Sequence, residues 1–304
     1  MKKQALLKNA KKWYVYYLLF LPCFILLLLF NYLPMFGIII AFKDYWPKYG
    51  IIKSAWASPV FTHFTSLFKD AYFWTVFKNT LIISGLRLLF GFPAPVLLAL
   101  LFNELKFKTF KKISQTILYI PHFLSWIVLA GMLKRMLLTD GLINEFLGVL
   151  GIGPVKFLTD GGPFLAMLIV TDIWKGAGFG TIVYLAAMSG IDTSLYEAAD
   201  LDGANRLHKM FYITLPGIAI AVSVQLILSL SGILNGGFDQ IYNLYSTPVY
   251  NVADIIDTYL YRVGLSGGNV ETGTALGLFK SVIAMCFIIV ANKIANKIGG
   301  AGVW

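Results

Sequence analysis

SLYEAADLDGANRLHKMFYITLP, residues Ser194–Pro216, is a polar, charged stretch set between long apolar runs. Ser194-Leu195-Tyr196-Glu197 has the form S-x-x-E. A serine there can cap a helix N-terminus while the glutamate reaches back to its backbone N–H. Tyr196 to Leu201 can continue that helix, and Gly203 supplies a residue able to take φ > 0 and end it. Ala204–Ile213 has helix-forming composition, with Leu207, Met210 and Phe211 spaced i, i+3, i+4 as an apolar stripe. Pro216 marks the passage into the next apolar run. The stretch therefore reads as two short helices joined at an angle. Two bland alternatives stand beside a docking role: a capped surface loop, or an amphipathic pair lying on a bilayer. Glu197, Asp200 and Asp202 outnumber Arg206 and Lys209, which disfavours anionic lipid.

The surroundings of this stretch decide the class. Of 304 residues 58% are hydrophobic and 13% charged, against about 25% charged in soluble domains. The excess lies in long uncharged runs, and a spanning helix needs roughly 20 of them in a row. Six runs qualify: Val15–Phe42, Phe73–Phe102, Ser114–Leu138, Phe164–Met188, Leu215–Leu234 and Thr274–Ile298. The predicted fold is an all-α integral membrane protein with six transmembrane helices. Pro93 and Pro95 are expected to kink the second. Residues 1–14 form a basic N-terminal segment, and 15–304 a single transmembrane domain. The first run is too long for a signal-peptide core and has no small-residue cleavage site, so it reads as uncleaved.

Lysine and arginine set the orientation. Lys2, Lys3, Lys8, Lys11 and Lys12 precede helix 1. Lys106, Lys108, Lys111 and Lys112 lie between helices 2 and 3, Arg206 and Lys209 between 4 and 5, and Lys293 and Lys297 near the end. Both termini and the 194–216 loop are thus expected in the cytoplasm, with longer loops at Lys43–Tyr72, Thr139–Pro163 and Asn235–Gly273 outside. The net charge of +10 fits basic cytoplasmic ends, and no basic block interleaved with aromatics suggests nucleic acid. Cys23 and Cys286 sit in apolar runs and read as small buried packers, with no disulfide framework or metal spacing.

E-A-A-x3-G-x9-I-x-L-P is met by Glu197, Ala198, Ala199, Gly203, Ile213, Leu215 and Pro216. This resembles the EAA motif of permease subunits in binding-protein-dependent ABC importers. Tyr32-Leu33-Pro34-Met35, Phe90-Gly91-Phe92-Pro93-Ala94-Pro95, Leu118-Tyr119-Ile120-Pro121-His122-Phe123-Leu124-Ser125-Trp126, Phe238-Asp239-Gln240-Ile241 and Gly277-Leu278-Phe279-Lys280-Ser281 are similar to the LplB-type branch, the polysaccharide and oligosaccharide permeases. The resemblance implies the type I importer permease fold and oligosaccharide import across a bacterial cytoplasmic membrane. It also implies a second permease subunit, two ATPase subunits and an extracytoplasmic solute-binding lipoprotein. Residues 194–216 would be the coupling helices, with Glu197, Ala198, Ala199, Asp202, Gly203, Ile213, Leu215 and Pro216 meeting the ATPase. ATP and magnesium would sit on that partner, with no cofactor on this chain.

Ionisable residues inside spans are costly and face protein or water. Arg87, Asp172, Lys175 and Lys280 belong here. Asp172 and Lys175, three apart, suggest a local ion pair, and Arg87 and Lys280 suggest snorkelling to an interface. A sugar path needs aromatic faces and polar groups. Trp126, Trp174, Gln225, Asn235 and Asp239 offer them, each with packing or anchoring as the alternative. Gly176-Ala177-Gly178-Phe179-Gly180 suggests close helix packing or a bend. Gly264-Leu265-Ser266-Gly267-Gly268 fits G-x-S-x-G, so an intramembrane serine protease using Ser266 is the rival class. Its base is missing, because His63, His122 and His208 all precede it and two lie in loops. An exporter or channel is the second rival, and the coupling motif disfavours a channel.

Overall fold

Residues 2–299 are described by the structure, a computed structural model. The side chains of Lys2, Lys3, Lys8, Lys11, Lys12 and Lys297 lie outside those described, as do residues 300–304. In chain order the main helices are α1 (Trp13–Phe42), α2 (Ala71–Glu104), the pair α3 (Lys108–Phe123) and α4 (Trp126–Met136), α5 (Gly161–Met188), the short α6 (Thr193–Leu201), the pair α7 (Arg206–Gly217) and α8 (Ala219–Ser231), and α9 (Val270–Gly299). Four single helices and two bent pairs give the six spans, each long and apolar enough to cross a bilayer.

Proline explains much of the local geometry. Leu28–Tyr32, Arg87–Gly91 and Met210–Thr214 are π-helical turns, and Pro34, Pro93 and Pro216 each follow two residues after one of them. A proline lacks an N–H and its ring crowds the carbonyl four residues back. Widening the preceding turn by one residue relieves the crowding and keeps the remaining carbonyls bonded. The N–H groups of Leu33, Phe92 and Leu215 accordingly reach five residues back, to the carbonyls of Leu28, Arg87 and Met210. Across Pro93 and Pro95, α2 runs on as one helix of 34 residues.

The third and fifth spans differ from the continuous helices expected. α3 and α4 meet at 101° across Leu124–Ser125, and α7 and α8 at 61° across Ile218. Ser125 starts α4 by accepting the Val128 N–H at 3.3 Å. The last carbonyls of α3 are bound by the Lys175 ammonium of α5, which donates to Pro121 at 3.3 Å and to His122 and Leu124 at 2.7 Å. A break inside a membrane needs such partners.

The chain divides into two compact units, Met1–Leu67 with Val263–Leu278, and Phe68–Arg262 with Phe279–Trp304. In the first, α1 is exposed along its apolar length. It leads into a two-residue ladder of β1 (Lys43–Asp44) and β2 (Ala55–Trp56), paired Lys43 to Trp56. The buried Lys43 ammonium ties the intervening turn by donating to the carbonyls of Ile51 and Ile52, each at 2.8 Å. Ser266 ends a π-helical turn before α9, where Gly264 packs against Gly273.

The second unit carries two apolar cores on α2 and α5. One gathers Ile83, Phe164, Met167 and Leu168 with Ile241, Leu244 and Ile255. The other gathers Val96, Ala99 and Leu100 with Tyr184, Met188 and Ile218. Polar residues occupy the stretch between them. The 176–180 run lies within one continuous helix, where Gly178 and Gly180 serve close packing while Gly176 has open space at its Cβ position. A Cβ at Gly178 would run into the Leu118 carbonyl of α3, and one at Gly180 would meet Pro95 of α2 at 2.9 Å. Gly178→Val is expected to separate α3 from α5, at a cost of about 1–3 kcal/mol. A fall in melting temperature of the purified complex would register it. Gly91→Ala, whose new methyl meets only Asp172 Oδ2 at 4.0 Å, should be close to neutral. Cys23 and Cys286 are exposed on their helices rather than buried.

Candidate functional site

The 194–216 stretch does fold as two helices meeting at a turn, with one change of register. The helix cap is Asp192, whose carboxylate accepts the Ser194 N–H at 2.9 Å. Ser194 is already inside α6, so the expected Ser194–Glu197 capping box does not form. An aspartate two residues upstream competes better because its charge also favours a helix N-terminus. That backbone N–H holds the Asp192 carboxyl below its ordinary value. At the other end Gly203 takes φ +74°. Its N–H donates to Asp200 at 3.2 Å and the Ala204 N–H to Ala199 at 2.9 Å, a Schellman stop. Asn205 then caps α7 by accepting the His208 N–H at 2.9 Å.

Two side-chain ties make the pair one body. Tyr196 Oη lies 2.9 Å from Thr214 Oγ1, and Lys209 Nζ 2.6 Å from Asp200 Oδ1. Between α6 and α7 is a hollow of about 420 Å³ whose walls include Ala199, Asp202, Gly203, Tyr212 and Ile213. Glu197, Ala198 and Asp202 are exposed, as is Pro216, while Leu215 is half-buried. The apolar stripe divides: Met210 packs into the core of α2 and α5, while Leu207 and Phe211 stay exposed. Leu201 projects with 91% of its surface free. The pair is thus a braced element presenting acidic and apolar groups outward. Gly203→Val has room for its side chain, so its effect is conformational, about 1–3 kcal/mol of backbone strain. Substrate-stimulated ATP hydrolysis is expected to fall in Gly203→Val and to be largely kept in Gly203→Asn, since asparagine tolerates this conformation.

The second site is a cavity of about 350 Å³ bounded by α2, α5 and α8, between the two apolar cores. Arg87, Ser84, Asp172, Tyr184, Gln225 and Asn235 supply its polar lining. Gln225 and Asn235, expected on a solute path, both line this cavity. Trp126, Trp174 and Asp239 are not among its walls. Trp126 lies under the Lys175 ammonium at 5.6 Å, Trp174 is exposed on α5, and Asp239 is exposed with its backbone carbonyl accepting from Asn243.

The ion pairing differs from the local pair expected. Asp172 faces Arg87 of α2, Oδ1 to Nη1 at 3.7 Å, and Lys175 is committed to the α3 carbonyls. Arg87 does not snorkel. Its guanidinium also binds Gln240 and is packed against Gly237. Gln240 is fully buried and donates to the Leu168 carbonyl at 2.9 Å and Thr171 Oγ1 at 2.8 Å. Lys280 is held by Asp257 at 2.5 Å and Asn235 at 2.8 Å, again an internal pair. Sequence reading missed Ser84, Tyr184 and Gln240. Ser84 and Arg87 at i, i+3 in an apolar run were the available signal. Gln240 gave none, because its partners are distant in the chain.

The protease arrangement is absent among the described residues. His63 Nε2 contacts the Lys43 carbonyl at 3.0 Å and Asp44 at 3.6 Å, His122 stacks on Phe179 at 4.0 Å, and His208 stacks on Tyr212 at 6.0 Å.

Up to six apolar spans, a polar cavity bounded by α2, α5 and α8, and a braced polar helix pair on the 194–216 connection are the features expected of a membrane transport subunit. Residues 91–299 match the family described as binding-protein-dependent transport system inner membrane component, and the chain belongs to that family. It is 42% identical over 304 residues to the polygalacturonan/rhamnogalacturonan transport system permease protein YteP of Bacillus subtilis (strain 168), covering all of this chain and 94% of that one. It is 42% identical over 289 residues to Protein LplB of the same organism, covering 95% and 90%. It is also similar, with TM-score 0.89 and 41% identity over 97% of this chain and 99% of the other, to a crystal structure of a bacterial ABC transporter that imports the acidic polysaccharide alginate. A further structure with the same figures holds that transporter with a periplasmic protein bound to alginate pentasaccharide. The chain is a permease subunit of a binding-protein-dependent ABC importer, an inner-membrane component and not itself an enzyme.

Proposed function

We propose that this permease conducts oligosaccharide fragments of an acidic polysaccharide into a bacterial cell, handed to it by an extracytoplasmic solute-binding lipoprotein. The carrying observation is the cavity between α2, α5 and α8, the polar gap between two apolar cores, lined by guanidinium, carboxylate, amide and hydroxyl groups suited to sugar. Galacturonan and alginate, named for two similar proteins, both carry a carboxylate on each sugar unit. Gln225 and Asn235 belong to the solute path in this reading. Trp126, Trp174 and Asp239 could contact solute only at its approaches.

Both termini and the α6–α7 pair lie in the cytoplasm, where basic flanks accumulate. There Glu197, Ala198, Ala199, Asp202, Gly203, Ile213, Leu215 and Pro216 form the surface and frame that couple to one of two ATPase subunits. Those subunits hold ATP and magnesium. A second permease completes the path and covers exposed apolar helix surface. Because the pair is braced and α7 bends directly into α8, closure of the ATPases moves it as a lever on the cavity wall.

The test is purification and uptake. The tagged chain should bring down a second permease and an ATPase. In proteoliposomes with the binding protein, the complex should import trigalacturonic acid in an ATP-dependent way. Purification alone, or import of neutral oligosaccharides only, would overturn the reading.

A further inference from the structure

Two buried side-chain polar atoms among the described residues have no hydrogen-bond partner, Ser84 Oγ and Arg87 Nε. Both residues line the same cavity, one turn apart on α2; the two atoms themselves are covered, so a cargo group reaches them as the side chains turn toward it. Buried polar groups are nearly always paired, so two orphans in one place call for a missing partner. Both atoms are donors, and they share an acceptor of one kind, an oxygen atom. The guanidinium gives its other groups to Asp172 and Gln240. The Asp172 contact, at 3.7 Å, is well beyond the 2.7–2.9 Å of a tight charge-assisted bond. Arg87 is therefore a cation whose ion pair is slack and whose Nε is unspent.

We propose that Arg87 and Ser84 form a subsite for a substrate carboxylate, that of a uronic acid unit, within the translocation cavity. The carboxylate accepts from Nε–H and from the Ser84 hydroxyl, while Asp172 stays on the Nη1 side. This rests on the reading above that the cargo is an acidic oligosaccharide. Asp172 has a defined part in it. A second carboxylate beside the same guanidinium weakens binding, and a transport site must let its cargo leave. The other nearby cations are already occupied, Lys175 by carbonyls and Lys280 by Asp257 and Asn235. Arg87 is thus the cavity-lining cation that can exchange partners.

The experiment measures equilibrium binding of trigalacturonic acid and of its methyl ester to the purified importer complex in nanodiscs. ATP-driven import of the acid by the wild type runs alongside. The wild type should bind the acid about tenfold or more tighter than the ester, as expected for a charge-assisted contact. Arg87→Gln should abolish that preference, and Ser84→Ala should reduce it. Asp172→Asn should widen it, because the competing charge is gone. Opposite shifts from the two members of one ion pair are not what loss of packing produces, since a structural tie weakens whichever partner is changed. Should Arg87→Gln fail to assemble, Ser84→Ala and Asp172→Asn carry the test with the same opposed signs. Equal binding of acid and ester by the wild type, or a parallel fall in Arg87→Gln and Asp172→Asn, overturns the subsite. Absence of acid import by the wild type overturns the functional reading, and the subsite with it. Import with an unmoved preference in all variants overturns the subsite alone.

Discussion

Glu197→Arg is expected to reach the membrane at the normal level, keep its fold, and lose both ATPase binding and uptake. Glu197 lies in the middle of α6 with its side chain exposed, and it makes no side-chain hydrogen bond or ion pair with the other described residues. What holds α6 lies elsewhere: the Asp192 cap, the Gly203 stop, and the ties from Tyr196 to Thr214 and from Asp200 to Lys209. A surface change away from such features moves stability by about 0.5 kcal/mol or less. The effect on assembly is of another size. Losing one partner of a charge pair buried across an interface costs roughly 2–5 kcal/mol, and reversal adds repulsion. That weakens the ATPase contact by about 30-fold to several thousandfold. Copurification with the ATPase and substrate-stimulated hydrolysis measure it. Normal uptake by this variant would remove Glu197 from the coupling surface.

The helix pair at 194–216 was legible as a fold because its determinants are local. A glycine needed at φ > 0, a helix-forming run and a proline act over a few residues, and the spacing of E-A-A, G and I-x-L-P records them. The capping residue was misassigned within that same stretch, since Asp192 and Ser194 are both good caps and only the backbone decides between them. The six spans were legible from hydropathy, which depends on composition alone. Their breaks were not. The 101° turn at Leu124–Ser125 depends on Lys175, some 50 positions further on, whose ammonium binds the freed carbonyls. Reading Lys175 as the partner of Asp172 followed the i, i+3 rule, which knows nothing of a neighbouring helix. Arg87–Gln240, 153 residues apart in the chain, and Lys280–Asp257 were hidden for the same reason. The cavity is built from such distant pairs, so it was the faintest part of the sequence.

Arg262→Met is expected to be the most damaging single change in the segment between α8 and α9. Asp254 is fully buried, and Arg262 grips it with both terminal nitrogens, at 3.2 Å and 2.5 Å. Thr258 Oγ1 and Tyr72 Oη each donate to the same carboxylate at 2.7 Å. The guanidinium in turn lies 4.8 Å from the Tyr250 ring and 5.8 Å from that of Tyr259. Tyr259 donates its hydroxyl to Asp70 at 2.9 Å. The Asp254 charge is thus the centre of a cluster joining the start of α2 to the 250–262 segment. Removing the arginine leaves a buried carboxylate with two neutral donors and no counter-charge, at a cost of about 3–5 kcal/mol. A large drop in melting temperature of the purified complex is the expected reading. The double change Arg262→Met with Asp254→Asn should recover much of it, because the uncompensated charge goes too. An equal loss in the double variant would mean that packing on the tyrosines, not charge, holds the segment. Alkali attacks the same cluster by a different route. Burial, with the hydrogen bond to Asp70, pushes the Tyr259 phenol up to about 12, above its ordinary value near 10. A group whose proton is held more tightly in the folded state lends its full stability below the unfolded value. That stability is lost as pH rises from about 10 through about 12. Tyr259→Phe should weaken this alkaline limb while leaving the Asp254–Arg262 pair in place, and Tyr245, also pushed up to about 12 by burial, should sustain part of it.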